Sequence, residues 1–426
     1  MRKQLFSAAS LSLVLVTALS ASAATGIPSS LPGAIGGYDK DPLTGRPHDV
    51  VPDKPTILPD KPTIQNQTTS PELSQPLSQK VLVKSFQLEG FTVLETQEAA
   101  EITAPWEGKE LTFQEIQDNV VTPLNKLYAK NGYITTVVYI PPQRVKDGVV
   151  VIQSSEGRIS EIVFEPGRYV KKRAVLPRIQ SEAGEIFRVG DLVKSLRRIN
   201  ENPDITVDAT LKPGDMPGQT KVVLKPQKDT LPLHFTPFYD NLGRYPIGRQ
   251  RLGATLNSSN VLGFGDTGYI SPYASTHSVG VLGGYEVPIG SHGFKVGFSG
   301  AHTQFDVDQL GVNFHGRSNI YQPYIMKELY RSENSVWNAE LAFANKNSTF
   351  FADGVTISQD RLRLITPAIS YRHYDRTGQL FTRHELVIGL DVFGATIGSD
   401  SISSRPGAGS QFIRYSGAAT RVQKVI

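Results

Sequence analysis

The carboxy-terminal half of the chain alternates apolar and polar residues. In residues 279–287 one face reads valine, valine, glycine, tyrosine, valine, and the other reads glycine, leucine, glycine, glutamate. The same two-residue period recurs in residues 294–299, 337–344 and 385–392. A period of two is that of a β-strand, so this region is predicted to be all-β. Ten candidate strands begin near Leu233, Arg249, Thr267, Val279, Phe294, Ile320, Val336, Arg361, Leu380 and Phe412.

Two kinds of β-structure share this pattern. A soluble β-sandwich has one buried and one solvated face, whereas a transmembrane barrel has a lipid-facing apolar side and a polar interior. The predicted strands are about 10–14 residues long, against about 5–6 in globular proteins. The strand length, together with a polar face that mixes charges with glycine, favours a transmembrane barrel. This barrel would comprise residues 228–426. The acidic residues of that face are then interpreted as interior charges rather than acid/base catalysts, namely Glu286, Glu340, Glu385 and Asp391.

Residues 81–156 have a mixed pattern. Val81 to Leu88 predicts a strand, and residues 93–102 a short helix. Thr112 and Glu115 form a capping box before an apolar face that recurs every three or four residues. Pro123 lies inside that helix and is expected to bend it. Strands over residues 133–140 and 149–153 complete the order β-α-α-β-β.

Residues 157–227 repeat that order with little residue-by-residue identity. Strands are predicted at 159–164, 205–211 and 220–224, with helices at 170–180 and before Pro203. Each module has about 70 residues, which suffices for one sheet covered by two helices and leaves little room for an enclosed active site.

The amino terminus carries targeting and spacer signals. Two basic residues, a short apolar run and small residues at the end of residues 1–23 predict a cleaved signal peptide. Residues 24–80 contain Pro52-Asp-Lys-Pro-Thr-Ile57 and its copy Pro59-Asp-Lys-Pro-Thr-Ile64. Proline fixes the backbone and removes a donor, so this segment is predicted to be an extended linker. A ligand for an aromatic groove is the alternative.

Composition narrows the possible chemistry. The 426 residues contain no cysteine, which excludes disulfides and thiolate chemistry, and the net charge of +4 is too small to indicate nucleic-acid binding. The eight histidines show no metal-ligand spacing. Phosphate loops and hydrolase motifs are absent from the sequence, so no enzyme activity and no cofactor are expected.

Several motifs carry a family resemblance. Lys126-Leu-Tyr-Ala-Lys-Asn-Gly-Tyr133 resembles a helix ending in a Tyr-x-x-x-Gly-Tyr turn. Together with the segments below, it resembles the outer-membrane transporters of two-partner secretion, of the haemolysin secretion/activation and filamentous-haemagglutinin transporter type. The motif positions are Gly132, Gln143, Asp147, Gly148, Glu156, Gly157, Asn202, Pro203, Pro213, Gly214, Asp240, Asn241, Gly243, Gly263, Gly265 and Asp266.

The resemblance implies an architecture and a function. The two modules look like periplasmic polypeptide-transport-associated (POTRA) domains, followed by an outer-membrane β-barrel. The implied partner is an unfolded secreted exoprotein of haemolysin or adhesin type, with outer-membrane lipid around the barrel and barrel-assembly machinery for insertion. No nucleic acid is expected as a partner.

A binding site follows from backbone chemistry. An unfolded polypeptide has free N–H and C=O groups, which an exposed strand edge can pair by strand addition. The predicted partner-binding residues lie in the first module, where simple core packing is an equally good interpretation. They are Leu124, Tyr128, Tyr133, Thr135, Val137 and Tyr139.

The length of the last region departs from the resemblance. The family barrel resembles a sixteen-stranded closure, whereas residues 228–426 accommodate about ten strands at about 20 residues each. The expectation is therefore an incomplete barrel in a truncated, split or fragmentary member. Two rival functions stay open, an assembly factor for outer-membrane proteins and a soluble periplasmic binding protein.

Overall fold

The computed structural model describes residues 64–66, 80–241, 243, 245–309 and 311–423. The predicted signal peptide and nearly all of the predicted linker lie outside these residues. The chain divides into two compact units, whose described residues run from 64 to 229 and from 230 to 423. Each unit is described separately.

The first module of the 64–229 unit has more elements than the sequence predicted. Its elements are β2 Lys80–Val83, β3 Ser85–Glu89, α1 Thr96–Thr103, β4 Lys109–Thr112, α2 Phe113–Ile116, α3 Thr122–Lys130, β5 Val137–Tyr139 and β6 Val149–Ser155. One sheet has the order β3-β6-β5, and β2 pairs with β4 in a separate antiparallel ladder.

The additional elements arise because the first predicted strand divides and a π-helical turn interrupts the second predicted helix. The capping box before that helix is retained. The predicted strand from Val81 to Leu88 divides at Lys84, whose N–H donates to the carbonyl of Gly148 at 2.7 Å. The predicted capping box is present, since the hydroxyl of Thr112 accepts from the N–H of Glu115 and the carboxylate of Glu115 accepts from the N–H of Thr112. A π-helical turn, Gln117–Val121, precedes Pro123 and joins α2 to α3. The turn lies at the point where proline was expected to bend the helix.

The second module has the predicted β-α-α-β-β order. It consists of β7 Arg158–Phe164, α4 Lys172–Val175, α5 Val189–Asn200, β8 Ile205–Pro213 and β9 Gln219–Asp229. Helix α4 is shorter than predicted because a 3-10 turn with Pro177 follows it. The sheet order is β1-β8-β9-β7, where β1 is Ile64–Asn66 from the predicted linker.

Each module has its own apolar core. In the first, Ile116, Val120, Leu124 and Tyr128 are fully buried against the sheet, at the four-residue spacing of one helix face. In the second, α5 contributes Leu192, Leu196 and Ile199 in the same way.

The 230–423 unit is one antiparallel sheet of ten strands in chain order. The strands are β10 Leu233–Asp240, β11 Arg251–Ser258, β12 Thr267–Ser275, β13 Ser278–Ile289, β14 Phe294–Gln309, β15 Val312–Arg331, β16 Ser335–Ala352, β17 Val355–Tyr374, β18 Gly378–Leu390 and β19 Ile413–Gln423. All ten predicted strands are present. They are 8 to 20 residues long, so several exceed the predicted range.

The two faces of this sheet differ as the alternation predicted. On β14 one face presents Phe294, Val296 and Phe298, each 43–48 % exposed. The other face carries glycine, small polar residues and charges. Three of the four acidic residues predicted for that face are paired there: Glu286 with Lys295 at 2.9 Å, and both Glu340 and Glu385 with Arg383.

Aromatic rings cover glycines on the polar face. The ring of Tyr324 lies over its cross-strand partner Gly297, where an added Cβ would come within 2.2 Å of the ring. A glycine thus provides space for a ring from the next strand. The ring fills the polar face without extra backbone strain. The same arrangement recurs at Phe238 over Gly253, Tyr273 over Gly280, Tyr269 over Gly284 and Phe305 over Gly316.

Candidate functional site: the sheet edges of the two modules

The candidate site consists of strand edges rather than a pocket. In the first module β5 is an edge strand, and in the second module β8 has only the three residues of β1 beyond it. A strand edge presents backbone N–H and C=O groups that another extended chain can pair. The partners of those groups therefore decide what each edge can bind.

The predicted binding residues of the first module separate into two sets. Leu124 and Tyr128 are fully buried and Thr135 is 6 % exposed, so these three pack in the module interior. Tyr133, Val137 and Tyr139 are partly exposed. The predicted strand over residues 133–140 is present only as β5, because the N–H of Thr136 donates to Tyr133 in a turn.

An asparagine closes the edge of the first module. The side chain of Asn125 on α3 donates to the carbonyl of Val138 at 2.9 Å and accepts from the N–H of Val138 at 2.9 Å. Val138 is the central residue of β5 and is buried. The amide therefore takes the place of a neighbouring strand at this position.

The second module repeats this arrangement. The side chain of Asn200, the last residue of α5, donates to the carbonyl of Val207 at 3.1 Å and accepts from its N–H at 2.8 Å. Val207 lies in β8 and is fully buried. Beyond Val207, β1 runs parallel to β8, with Ile64 opposite Ala209 and Asn66 opposite Leu211.

Neither asparagine was predicted to pair with a strand edge, and strand β1 was not predicted. Asn125 follows Leu124 of the apolar helix face, and Asn200 precedes the turn before β8. A polar amide next to an apolar helix face, shortly before a strand, is the signal that could have revealed them.

Glu156 fixes the end of the first module. Its carboxylate accepts hydrogen bonds from the N–H groups of Thr92 and Val93 at 2.7 and 3.1 Å and from the hydroxyls of Tyr128 and Thr92. Burial acts to raise the pKa of Glu156, but these hydrogen bonds outweigh it and hold the pKa below its ordinary value. Burial raises the pKa of the Tyr128 phenol, which stays a donor to Glu156.

The two modules of this unit are in direct contact. The carbonyl of Gly132 accepts from the N–H of Val189 at 2.9 Å, and Ile134 packs against the core of the second module. Gly157 lies so close to Thr135 that an added Cβ would come within 2.3 Å of the hydroxyl. These contacts position the β8 edge relative to the first module.

The other motif residues of the modules shape turns. Asp147 and Gly148 have φ angles of 54° and 80°, which are those of a tight hairpin turn. The amide of Gln143 donates to the carbonyl of Val151 and accepts from its N–H. In the second module, Asn202 accepts from the N–H of Asp204, and the N–H of Gly214 donates to the carbonyl of Gln219. Pro203 precedes β8, and Pro213 is its last residue.

In the sheet, the motif residues form the first two connections. The carboxylate of Asp266, which is fully buried, accepts from the N–H groups of Leu262 and Phe264, each at 2.9 Å. Asp240 forms a two-point ion pair with Arg251 on the neighbouring strand. The remaining motif residues lie in the same turns, namely Asn241, Gly243, Gly263 and Gly265.

Two further observations concern only the described part of the chain. None of its helices combines the length and apolarity that a membrane-crossing helix requires. No group of three or more His, Asp or Glu side chains among the described residues is placed to hold a metal ion.

Comparison with known proteins agrees with this architecture. Residues 81–157 match the family model of the POTRA domain, ShlB-type, and residues 218–425 match that of the haemolysin secretion/activation protein ShlB/FhaC/HecB. The solved structure of CdiB from Escherichia coli covers 83 % of this chain, with a TM-score of 0.63 and 22 % identity, and this chain covers 67 % of CdiB. At that identity the likeness shows the fold.

Curated relatives match over part of their length. The heme/hemopexin transporter protein HuxB of Haemophilus influenzae is 24 % identical over 275 residues, which are 62 % of this chain and 48 % of HuxB. The outer membrane transporter CdiB of Dickeya dadantii is 21 % identical over 329 residues, which are 74 % of this chain and 58 % of CdiB. The chain thus spans about half the length of the curated relatives it matches.

A POTRA module followed by a long antiparallel sheet with one apolar face defines the class of POTRA-bearing outer-membrane β-barrel proteins. Within that class, the matched residues, 81–157 and 218–425, are those of the haemolysin secretion/activation proteins of the ShlB/FhaC/HecB type, which are two-partner secretion transporters. The predicted family and fold class are confirmed.

Proposed function

We propose that the chain is an outer-membrane translocator. Its POTRA modules, on the periplasmic side, capture an unfolded exported protein by strand addition and deliver it to a pore to which the ten-stranded sheet contributes. The partner is a large secreted exoprotein of haemolysin or adhesin type. The carrying observation is that the β8 edge already pairs with an extended segment, which is the geometry that capture requires.

The first module provides a second surface for capture. We propose that the partly exposed Tyr133, Val137 and Tyr139 contact the exported chain beside β5. The buried Leu124, Tyr128 and Thr135 then support this surface from inside. Glu286, Glu340 and Glu385 of the ten-stranded sheet take part in ion pairs. We therefore propose binding and passage of the exported chain, without catalysis and without a cofactor.

Fractionation tests the location. The mature chain, inserted by barrel-assembly machinery, should sediment with the outer membrane and resist extraction by urea. The apolar face of the sheet needs lipid, because exposed Phe298 and Leu341 would otherwise contact water. Recovery of the folded chain in the soluble periplasm would instead support a periplasmic binding protein and contradict the proposal.

Capture tests the activity. The purified chain should bind the amino-terminal region of the large exoprotein encoded beside its gene when that region is unfolded, and much more weakly once it has folded. Equal binding of both forms would contradict strand addition. If the chain instead accelerates insertion of other outer-membrane proteins into lipid vesicles, the assembly-factor alternative is favoured.

A further inference from the structure

The β8 edge is occupied by the chain's own residues. Strand β1 pairs in parallel over three residues, with Gln65 opposite Thr210, whereas β8 is nine residues long. On its other side β8 pairs with β9 along its whole length. Strand β1 therefore covers only a third of the length of β8.

The outward-facing backbone groups of β8 can be identified from the ladder. The carbonyl of Leu224 on β9 accepts from Glu165, so Leu224 faces β7 and its antiparallel partner Ala209 faces away from β9. Backbone groups of alternate residues point the same way, so Val207, Ala209 and Leu211 form the β8 edge. Asn200 pairs with Val207, and β1 runs beside the other two.

The pairing of β1 is short. Towards the start of β8, the next outward-facing residue is Val207, whose N–H and C=O are already paired with the side chain of Asn200. Parallel pairing is also slightly weaker per residue than antiparallel pairing. An extended chain that pairs antiparallel with β8 can therefore compete with β1 for this edge.

The two modules differ in whether their edge strand can accept a further strand. In the first, Asn125 takes both backbone groups of the central residue of β5, and that strand has only three residues. In the second, the edge continues past Asn200 to Ala209 and Leu211, and a strand is already bound there. The second module is thus the one that the structure shows to accept an added strand.

We propose that β1 is a placeholder strand on the β8 edge, which an unfolded exported polypeptide displaces when it is captured. This inference rests on the proposed function and assigns its main capture site. The ligand is recognised as an extended backbone without proline. Displacement exchanges one strand for another, so the edge stays paired in both states and does not pair with other copies of the chain.

A disulfide lock tests the displacement. The chain has no cysteine, so Gln65→Cys with Thr210→Cys introduces a single pair at register partners in neighbouring strands. The ligand is a fluorescent twelve-residue peptide that alternates valine and threonine, with lysines at its ends. Oxidation should lower binding of this peptide at least tenfold, and reduction should restore it. Each single-cysteine variant is the matched control.

A second variant acts in the opposite direction. Gln65→Pro leaves the β8 edge intact but removes the N–H that the parallel register directs to Ala209. Binding of the peptide should become about tenfold tighter, because the competing strand is weakened. A control peptide with proline at every third position should bind neither form.

The outcomes separate the two proposals. If the peptide binds the reduced chain, and neither the lock nor Gln65→Pro changes its affinity, the placeholder is wrong and capture takes place elsewhere. If the peptide and the unfolded exoprotein region both fail to bind the reduced chain, the proposed function itself is wrong. Restoration of binding by reduction excludes misfolding as the cause of a loss.

Discussion

In both modules a single side-chain amide pairs with one residue of an edge strand, in the place of a neighbouring strand. A side-chain amide has a donor and an acceptor, so Asn125 and Asn200 each complete the pairing of a buried valine that has no strand beside it. The two modules share little sequence identity, yet this contact recurs at the same place in the fold. The repeat is thus more evident in the hydrogen bonds than in the sequence.

Removal of such an amide should destabilise its module. Asn200→Ala leaves the N–H and C=O of Val207 without their partner, at about 1–3 kcal/mol per group that water cannot reach. Hydrogen exchange of β8 amides in the full chain should accelerate accordingly. Asn119→Ala is the matched control, since that amide bonds only to the carbonyl of Glu115 on the helix surface. Equal effects of both substitutions would contradict the role of Asn200.

Glu156 should make the stability of the first module depend on pH. Its pKa is lower in the folded chain than in the unfolded chain, where it is about 4.3. Such a group stabilises the fold above the unfolded pKa, and the stabilisation is lost as pH falls through the folded pKa.

Glu156→Gln should therefore destabilise the module near pH 7, and the difference from the wild type should shrink below about pH 4. Hydrogen exchange of β6 amides across this range measures the difference. A difference that stays constant from pH 7 to pH 3 would show that the charge is not involved.

The glycine under Tyr324 should be coupled to that ring. Gly297→Ala places a Cβ within 2.2 Å of the ring, so the ring must move and its hydroxyl loses the 3.0 Å bond to Glu286. A loss of about 1–3 kcal/mol is expected on urea unfolding in detergent. In a Tyr324→Ala background the same substitution should cost much less, which a double-mutant cycle measures. Additive effects would contradict the coupling.

At the scale of elements, alternation predicted the ten strands and misplaced some of their ends. β15 begins at Val312 rather than near Ile320, and β17 at Val355 rather than near Arg361. The added segments begin with a short alternation, Val312-Asn-Phe-His315 and Val355-Thr-Ile-Ser358, but glycine and polar residues then interrupt the apolar period on which the prediction depended. Hydrogen bonds to the neighbouring strands define these ends.

Some elements of the modules could not be predicted from the local sequence either. β4 and β1 are three or four residues long and pair with distant segments, so they have no local signature. The asparagine contacts join a helix to a strand 13 and 7 residues away and have no period. Sequence therefore predicted the helices and the core, but not the pairing at the edges that forms the candidate site.

The two faces of β14 should respond differently to the same charge. Phe298→Lys introduces a charge on the apolar face, which in a barrel costs about 2–4 kcal/mol at the membrane midplane. Thr303→Lys on the opposite face is the matched control and should be tolerated. Yield of the folded chain in lipid vesicles measures both. A larger loss with Thr303→Lys would reverse the assignment of the faces.

For the whole molecule, three regions of different composition correspond to different physical tasks. The 230–423 unit has an apolar face suited to lipid, and the modules have edges suited to an extended chain. The proline-rich segment was predicted to be an extended linker, with a ligand for an aromatic groove as the alternative. The pairing of Ile64–Asn66 with β8 gives part of that segment a second role, since three of its residues belong to the sheet of the second module.

The pairing of β1 with β8 also limits how far the amino-terminal segment can extend. While β1 is on β8, Ile64 is held at the second module. Once β1 leaves, the next strand that holds the chain, among the described residues, is β2, which begins at Lys80. The 16 residues from 64 to 79 can span about 50 Å when extended, at about 3.3 Å each. Occupancy of one strand edge would thereby determine how far the amino-terminal segment reaches. Capture of an exported chain and release of this length are then the same event.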